Sequence, residues 1–401
     1  MAYYRSQNVS FCKESNDNRE DKLIMKKILV TGGAGFIGSH LCPLLEQNGF
    51  NVTILDNLSP QIHGDSKQPP SWISEHNIHF VEGSVTDRSI LESVLINADG
   101  IIHLAAETGT GQSMYEIEKY NLVNSQATAL MLDIITNKKI PVKRILLASS
   151  RSVYGEGAYV SEAQDPSPRV FPRPRQPEEL ASHQWTAKDA SGKDLIPVPT
   201  REDDKIQPAS IYASTKYAQE DLIAICCESL GIGYGILRLQ NVYGEGQSLN
   251  NPYTGILSIF STRVRMDKHL PIFEDGQETR DFVHVSDVAG AFLSALERDE
   301  APNTIINVGT GQFTTVVDIA EQLTRAFGKE PDIRVTGQYR VGDIRHNCAD
   351  ITRLKEVLNY TPKVSLEEGM KRFVDWVNTQ PLPEDKLDKA NQELKDKNLM
   401  G

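Results

Sequence analysis

"ILVTGGAGFIGSHL" (residues 28–41) passes from an apolar run through Gly32, Gly35 and Gly38 into a segment of helical period. A strand that turns tightly into a helix leaves backbone N–H groups and the positive end of the helix dipole facing outward. That is a seat for a pyrophosphate. The spacing is GxxGxxG rather than GxGxxG, one residue off the usual dinucleotide fingerprint, but the need for a tight turn and a close backbone approach is the same. The next apolar run, "NVTILD" (51–56), closes on Asp56. A carboxylate there accepts hydrogen bonds from the adenine-side ribose and repels a 2′-phosphate, so NAD rather than NADP is expected. Phe36 and Ile37 in the turn and Asn57 beside the carboxylate join the three glycines as cofactor candidates.

Outward from this unit the pattern repeats. "IHFVEG" (78–83), "GIIHLAA" (100–106), "KRILLAS" (143–149) and "YGILRLQ" (234–240) read as buried strands, with helical segments over 36–48, 113–137 and 210–230. Strands alternating with helices predict an α/β fold: a Rossmann-type, doubly wound parallel sheet covered on both faces. We expect an NAD-binding domain over 25–240, interrupted by an insertion at 158–207. A smaller, mainly substrate-binding α/β lobe over 241–380 and a charged tail over 381–401 follow.

Composition narrows the classes. The 401 residues carry a net charge of −12, which argues against a nucleic-acid partner. No apolar run reaches the roughly 18 residues of a membrane span. Residues 1–24 are polar, without the apolar core of a secretory signal, and are expected to be a disordered extension. The five cysteines (Cys12, Cys42, Cys226, Cys227 and Cys348) form no CxxC pair, which points to reduced thiols, a cytoplasmic protein and no metal site.

The chemistry is suggested by "YASTK" (212–216). Tyr212 and Lys216 share one helical face, and an ammonium beside a phenol favours the phenolate, a base suited to a sugar hydroxyl. "YEIEK" gives a second such pair, Tyr115 and Lys119, read as an exposed helix pair because it precedes the strand ending in Ser150. Tyr212 follows that strand, so the Ser150 hydroxyl can share the proton of the reacting oxygen.

Together, "TGGAGFIG", "HLAA" (103–106), "SSRSVYG", "YASTK", "RLQNVYG" (238–244), "RDFVHVSDV" (280–288), "NVGTG" (307–311) and "YRVGD" (339–343) resemble the extended short-chain dehydrogenase/reductases, specifically the nucleotide-sugar epimerases and dehydratases. The resemblance covers about residues 25 to 380. It implies Ser150, Tyr212 and Lys216 as catalytic residues. It also implies Leu104, Ala105, Ala106, Asn124 and Ser149 as cofactor contacts beside Tyr212 and Lys216, and a nucleotide-diphosphate sugar as substrate. Asn241, Arg280 and Arg340 match its diphosphate ligands, with Asp343 in the same motif; Ser150, Arg151, Ser152 and Gln240 border the sugar. Two departures are Ser84, where the family usually has Asp near the adenine, and Gln240, at a usually aromatic position. In the family's dehydratases the two positions after Ser150 carry an acid–carboxylate pair. Here they are Arg151 and Ser152, so the resemblance implies C4 epimerisation with NAD regenerated in place, and not elimination. "DNLSPQIHG" (56–64), "GQSMYEI" (111–117) and "GDIRHNCADI" (342–351) are most similar to a bacterial dTDP-L-rhamnose 4-epimerase-like subgroup. UDP-hexose or UDP-uronate 4-epimerisation, or silent binding of NAD or a sugar nucleotide, are the rival readings. The resemblance further implies a homodimer through helices 113–137 and 210–230. His103 and His284 read as structural. The proline-rich insertion is expected to be a surface excursion, a lid or a dimer contact.

Overall fold

The computed structural model describes residues 25–64, 68–161, 168–249, 251, 255–298 and 303–401; the expected extension 1–24 lies outside them. Seven strands form the central sheet: β1 (Lys27–Thr31), β2 (Asn51–Asp56), β3 (His79–Glu82), β4 (Gly100–His103), β5 (Arg144–Ser150), β6 (Gly233–Leu239) and β7 (Thr304–Val308). Their order is β7-β6-β5-β4-β1-β2-β3, every pair parallel. The doubly wound sheet is therefore as expected. Strands buried on both faces need apolar residues at consecutive positions, which is why "ILV" and "RILLAS" do not alternate. The chain order reverses between β1 and β4, and there the carboxyl ends of parallel strands open a crevice suited to a ligand.

Helices Phe36–Gln47 and Val285–Glu297 close one face of the sheet, burying Leu41, Leu45 and Phe292 against Val30, Ile54 and Leu237. Helices Ala127–Lys138 and Ile211–Leu230 close the other, burying Met131, Ile135, Ile223 and Cys227. The six runs named from sequence do not include β7. It returns to the sheet from beyond residue 240 and pairs with β6, so the 241–380 stretch supplies a strand and a covering helix as well as the lobe. That lobe has its own core around Leu257, Phe260, Ile272, Phe282 and Phe373.

Three local features differ from the sequence expectation. The expected helix 113–137 is broken. Short turns at Thr110–Ser113 and Ile117–Tyr120 lead into a π-helical segment, Asn121–Gln126, before Ala127–Lys138. The wider turn carries Asn124 to a fully buried position, a device common beside functional sites. The described part of the insertion is ordered rather than a bare loop. Ala158–Val160 pairs with Arg169–Val170 and Ile196–Val198, and the buried Arg175 guanidinium donates to Glu156 at 3.0 Å, Glu274 at 2.7 Å and the Asp343 carbonyl at 2.8 Å. Trp185 packs between His183 and Tyr339. The insertion is thus a brace on the segment that carries Arg340 and Asp343. Finally, the stretch read as a charged tail contains the helix Leu387–Asp396, which buries Leu387, Ala390 and Leu394. The i, i+3, i+7 spacing of these apolar residues is the signal that its charged composition conceals.

Candidate active site

A cavity of about 440 Å³ lies at the carboxyl ends of β1, β2, β4 and β5. Gly32 forms its floor with a positive φ of 69°; a Cβ there would sit 2.6 Å from the Ala105 nitrogen at the end of β4, so only glycine allows the approach. Gly35, Phe36, Ile37, Asp56, Asn57, Leu104, Ala105 and Ala106 line the same wall. Asp56 is fixed by the Ala34 N–H, which donates to it at 3.1 Å, and the Leu58 N–H at 2.9 Å. A cradle that any side chain would fill, a helix N-terminus above it and a fixed carboxylate at the next strand end fit a dinucleotide such as NAD. Residues not assigned from sequence also line this wall, notably His63, Ser84, Glu107 and Gln247. His63, Ser84 and Glu107 follow the carboxyl end of a parallel strand, which was the available signal.

Tyr212 stands at the deep end of this cavity, at the second position of the Ile211–Leu230 helix. Ser210 caps that helix by accepting from the Ala213 N–H at 3.2 Å, and the Tyr212 N–H donates to the Ser113 hydroxyl at 3.0 Å. Its phenol shares the cavity wall with Ser150, whose hydroxyl accepts from the Ser152 N–H at 3.2 Å. Burial raises the phenol above the usual tyrosine range, and the Ser150 hydrogen bond and then the Arg151 guanidinium oppose that rise. The sequence reading gives this task to Lys216; in the structure Ser150 and Arg151 also act on the phenol. The Lys216 amine instead donates to the Ala148 carbonyl and the Gln219 side chain, both at 2.9 Å, and burial pushes it down to about 7.

Four of the assigned cofactor residues lie behind the wall and not in it. Gly38 is required by packing, since a Cβ there would fall 2.1 Å from the Gly33 carbonyl. Ser149 is buried with its hydroxyl donated to Glu220. Lys216 is buried as just described. Asn124 accepts from the Glu107 N–H at 2.8 Å and donates to its carbonyl at 3.1 Å, so it shapes the loop after β4. Beneath it, Thr128 donates to the Asn124 carbonyl at 2.7 Å and accepts from Gln219 at 2.7 Å. His103 Nε2, 3.0 Å away, must then donate to Thr128, and Nδ1 accepts from Thr31 at 2.7 Å. Burial pushes this imidazole down to about 3, so His103 is a neutral structural residue.

The substrate candidates converge from the opposite side. Ser150, Arg151, Ser152, Gln240 and Asn241 line the first cavity; Arg151, Asn241, Arg280, Arg340 and Asp343 line an adjoining one of about 240 Å³. Arg151 Nε donates to Asn241 at 3.0 Å, at the junction. Arg280 is held by three carbonyls, Thr279 at 2.8 Å, Arg345 at 3.0 Å and Ile344 at 2.7 Å, which orient the guanidinium without neutralising it. Burial and the facing Arg280 hold Arg151 below the usual arginine range, with Asp343 opposing; burial also lowers Arg340. Such crowded guanidinium groups suit the two phosphates of a diphosphate. The Gln240 amide and the Ser152 hydroxyl are buried with no hydrogen-bond partner among the described residues, which leaves them for a polar ligand.

Glu278 lines the second cavity, and burial and then the neighbouring Glu274 hold its carboxyl above the usual glutamate range, with Arg345 at 3.7 Å opposing. The folded state therefore binds this proton more tightly than the unfolded chain, and stability falls as pH rises from the ordinary glutamate value through the raised one. Glu278→Gln removes that cost. Thermal melts are expected to show the variant roughly 2–4 °C above the parent at pH 8 and level with it at pH 4; a parent that melts higher at pH 8 would contradict the assignment.

Comparisons with known proteins show the family. The family model of the NAD dependent epimerase/dehydratase family matches residues 28–177 and 180–309. A dTDP-L-rhamnose 4-epimerase from Burkholderia thailandensis is 39% identical over 355 residues, covering 88% of this chain and 95% of the relative. Among solved structures, a UDP-N-acetylglucosamine 4-epimerase from Methanobrevibacter ruminantium, in complex with UDP-N-acetylmuramic acid, superposes with a TM-score of 0.71 at 28% identity, over 89% of this chain and 99% of that one. A UDP-glucose 4-epimerase from Thermus thermophilus in complex with NAD gives 0.66 at 25% identity, over 88% and 100%.

Proposed function

The chain belongs to the NAD-dependent epimerase/dehydratase family, and from that premise we propose that it is a nucleotide-sugar 4-epimerase that interconverts dTDP-L-rhamnose and dTDP-6-deoxy-L-talose. The observation that carries the reading is the place of Tyr212, on one cavity wall with Ser150 and Arg151 where a dinucleotide cradle meets a cavity lined by three arginines.

NAD, held by the Gly32–Gly38 turn and Asp56, supplies a reversible acceptor for the C4 hydride when bound. The protein's own groups do the rest. Tyr212 takes the proton of the C4 hydroxyl, and Ser150 donates a hydrogen bond to the oxygen as it becomes a carbonyl. Arg151 lowers the cost of the phenolate that starts the cycle. Arg280 and Arg340 hold the diphosphate while the 4-keto sugar turns over and presents its other face. Hydride then returns to C4 and Tyr212 gives its proton back to the oxygen, so no net oxidation occurs. Arg151 and Ser152 supply no carboxylate for abstracting a proton at C5, which disfavours elimination.

The test is a panel of dTDP-, UDP- and GDP-sugars followed by NMR with the NAD-loaded protein. Conversion of dTDP-L-rhamnose to its C4 epimer is expected. Conversion of UDP-hexoses or UDP-uronates alone would move the substrate to UDP-sugars, and no conversion with NAD bound would leave only a binding role. We place the protein in the cytoplasm; among the described residues no helix is long and apolar enough to cross a membrane. We also assign it a homodimer, supported by exposed Leu122 and Ile225 on the two long helical segments. Sedimentation at micromolar concentration should give twice the chain mass, and Ile225→Lys should lower it to one.

A further inference from the structure

The second cavity is roofed by a part of the chain that neither the sequence motifs nor the mechanism uses. Leu387, Leu394 and Leu399 form part of its wall, opposite Phe260 and Phe273. The helix Leu387–Asp396 reaches both sides of the cavity. On the sheet side, Leu394 packs 3.5 Å from where a Cβ on Gly111 would lie, Tyr115 donates to Glu393 at 3.4 Å, and the Lys397 ammonium sits 4.7 Å over the Tyr115 ring. On the lobe side, Leu399 and Gly401 accept from the Val341 and Tyr339 N–H groups at 3.0 and 2.9 Å, and the Gly401 N–H donates back to the Tyr339 carbonyl at 3.0 Å. Asp385 pairs with the buried Arg263 at 2.9 Å and with Lys268 at 2.8 Å, which anchors the near end.

Between these attachments Arg340 Nη2 donates to the Asn391 side chain at 2.9 Å, and the guanidinium lies 4.7 Å over the Phe273 ring. Arg340 Nε is buried with no partner among the described residues. We propose that residues 385–401 are a lid over the nucleotide half of the substrate site and a working part of it: the three leucines wall the nucleoside, and Asn391 positions Arg340 for the diphosphate. This rests on the nucleotide-sugar reading above.

Two observations favour a lid over a plug. The segment walls a cavity and leaves it open beneath, at about 240 Å³, where pockets for small molecules run from roughly 300 Å³ upward. The roof must therefore ride outward or the cavity merge with the first one when a nucleotide enters. A plug that mimicked the diphosphate would turn a carboxylate on the arginine. This segment carries four carboxylates and four lysines, yet the side chain that reaches Arg340 is a neutral amide, which orients the cation and leaves its charge for the ligand.

The experiment titrates dTDP and UDP, without any sugar, into NAD-loaded parent, Asn391→Ala and Leu394→Ser by calorimetry. In parallel, trypsin cleavage at Lys389, Lys395 and Lys397 is timed with and without dTDP. The parent should bind at least one nucleotide, and that nucleotide should slow cleavage. Each variant should bind it about tenfold more weakly, the loss expected when a group aimed at a charged ligand loses its support, with NAD content unchanged in both and melting temperature unchanged in Asn391→Ala. Unchanged affinity in both variants overturns the lid while leaving the epimerase reading intact. Tighter binding in the variants, or faster cleavage with nucleotide, identifies a plug and also overturns it. If the parent binds neither nucleotide, the nucleotide-sugar reading falls with the lid.

Discussion

Tyr212→Phe is expected to keep its NAD and lose roughly 10²–10⁴-fold in turnover, the range a positioned proton-transfer group contributes. The substitution deletes one oxygen and leaves the ring, which packs edge-on against Tyr120 with centroids 6.4 Å apart. The helix cap at Ser210 and the backbone bond to Ser113 do not involve the phenol, so fold and cofactor cradle survive. What goes is the phenol that shares the cavity wall with Ser150 and takes the proton of the reacting hydroxyl. Full activity in this variant would sink the mechanism. Arg151 sharpens the same test through pH. Burial makes the phenolate costly and the guanidinium reduces that cost, so in Arg151→Met the alkaline rise of kcat should move to higher pH. A profile that stays in place would return the task to Lys216.

The second large effect is expected at Glu220, about two helical turns beyond Tyr212. Arg238, fully buried on β6, donates to it through Nε at 3.0 Å and Nη2 at 2.7 Å, and through Nη1 to the Tyr154 hydroxyl at 2.8 Å. Tyr154 passes the network on to Asn307 of β7 at 2.7 Å, and Ser149 donates to Glu220 from β5. One carboxylate thus ties the Tyr212 helix to three strands of the sheet. Removing it in Glu220→Ala leaves an unpaired buried guanidinium, which costs about 3–5 kcal/mol. Urea unfolding should show that loss, and Glu220→Gln, which keeps the hydrogen-bonding shape, should recover part of it. Equal stability of parent and Ala variant would mean that Arg238 finds other partners.

The parts of this molecule legible in sequence are those whose cause is local. Gly32 is there because its φ and its neighbour at Ala105 forbid a side chain, and that need is written in the turn itself. Ser150 and Tyr212 were legible because one ends a strand and the other opens a capped helix, both at the edge where parallel strands present their ends. Features set by distant partners were not legible. β7 belongs to the sheet through its register with β6, a partner that the short run "TIINV" does not itself announce. The partners of Lys216, the Ala148 carbonyl and the Gln219 side chain, are remote in sequence from one another, so its place in the fold was not legible either. Arg175 looked like one of several arginines in a proline-rich stretch until Glu156 and Glu274 closed on it. The helix Leu387–Asp396 hid three buried residues among charges, and its meaning depends on where Arg340 sits.

The central claim is that hydride leaves C4, waits in the closed site and returns to the same carbon. It is tested most directly with dTDP-L-rhamnose carrying deuterium at C4, incubated with the NAD-loaded protein in ordinary water and followed by NMR. The account predicts a C4 epimer that keeps the deuterium at C4, and in heavy water an unlabelled substrate that gains none at C4 or C5. Loss of the C4 label to solvent, or deuterium appearing at C5, would contradict it.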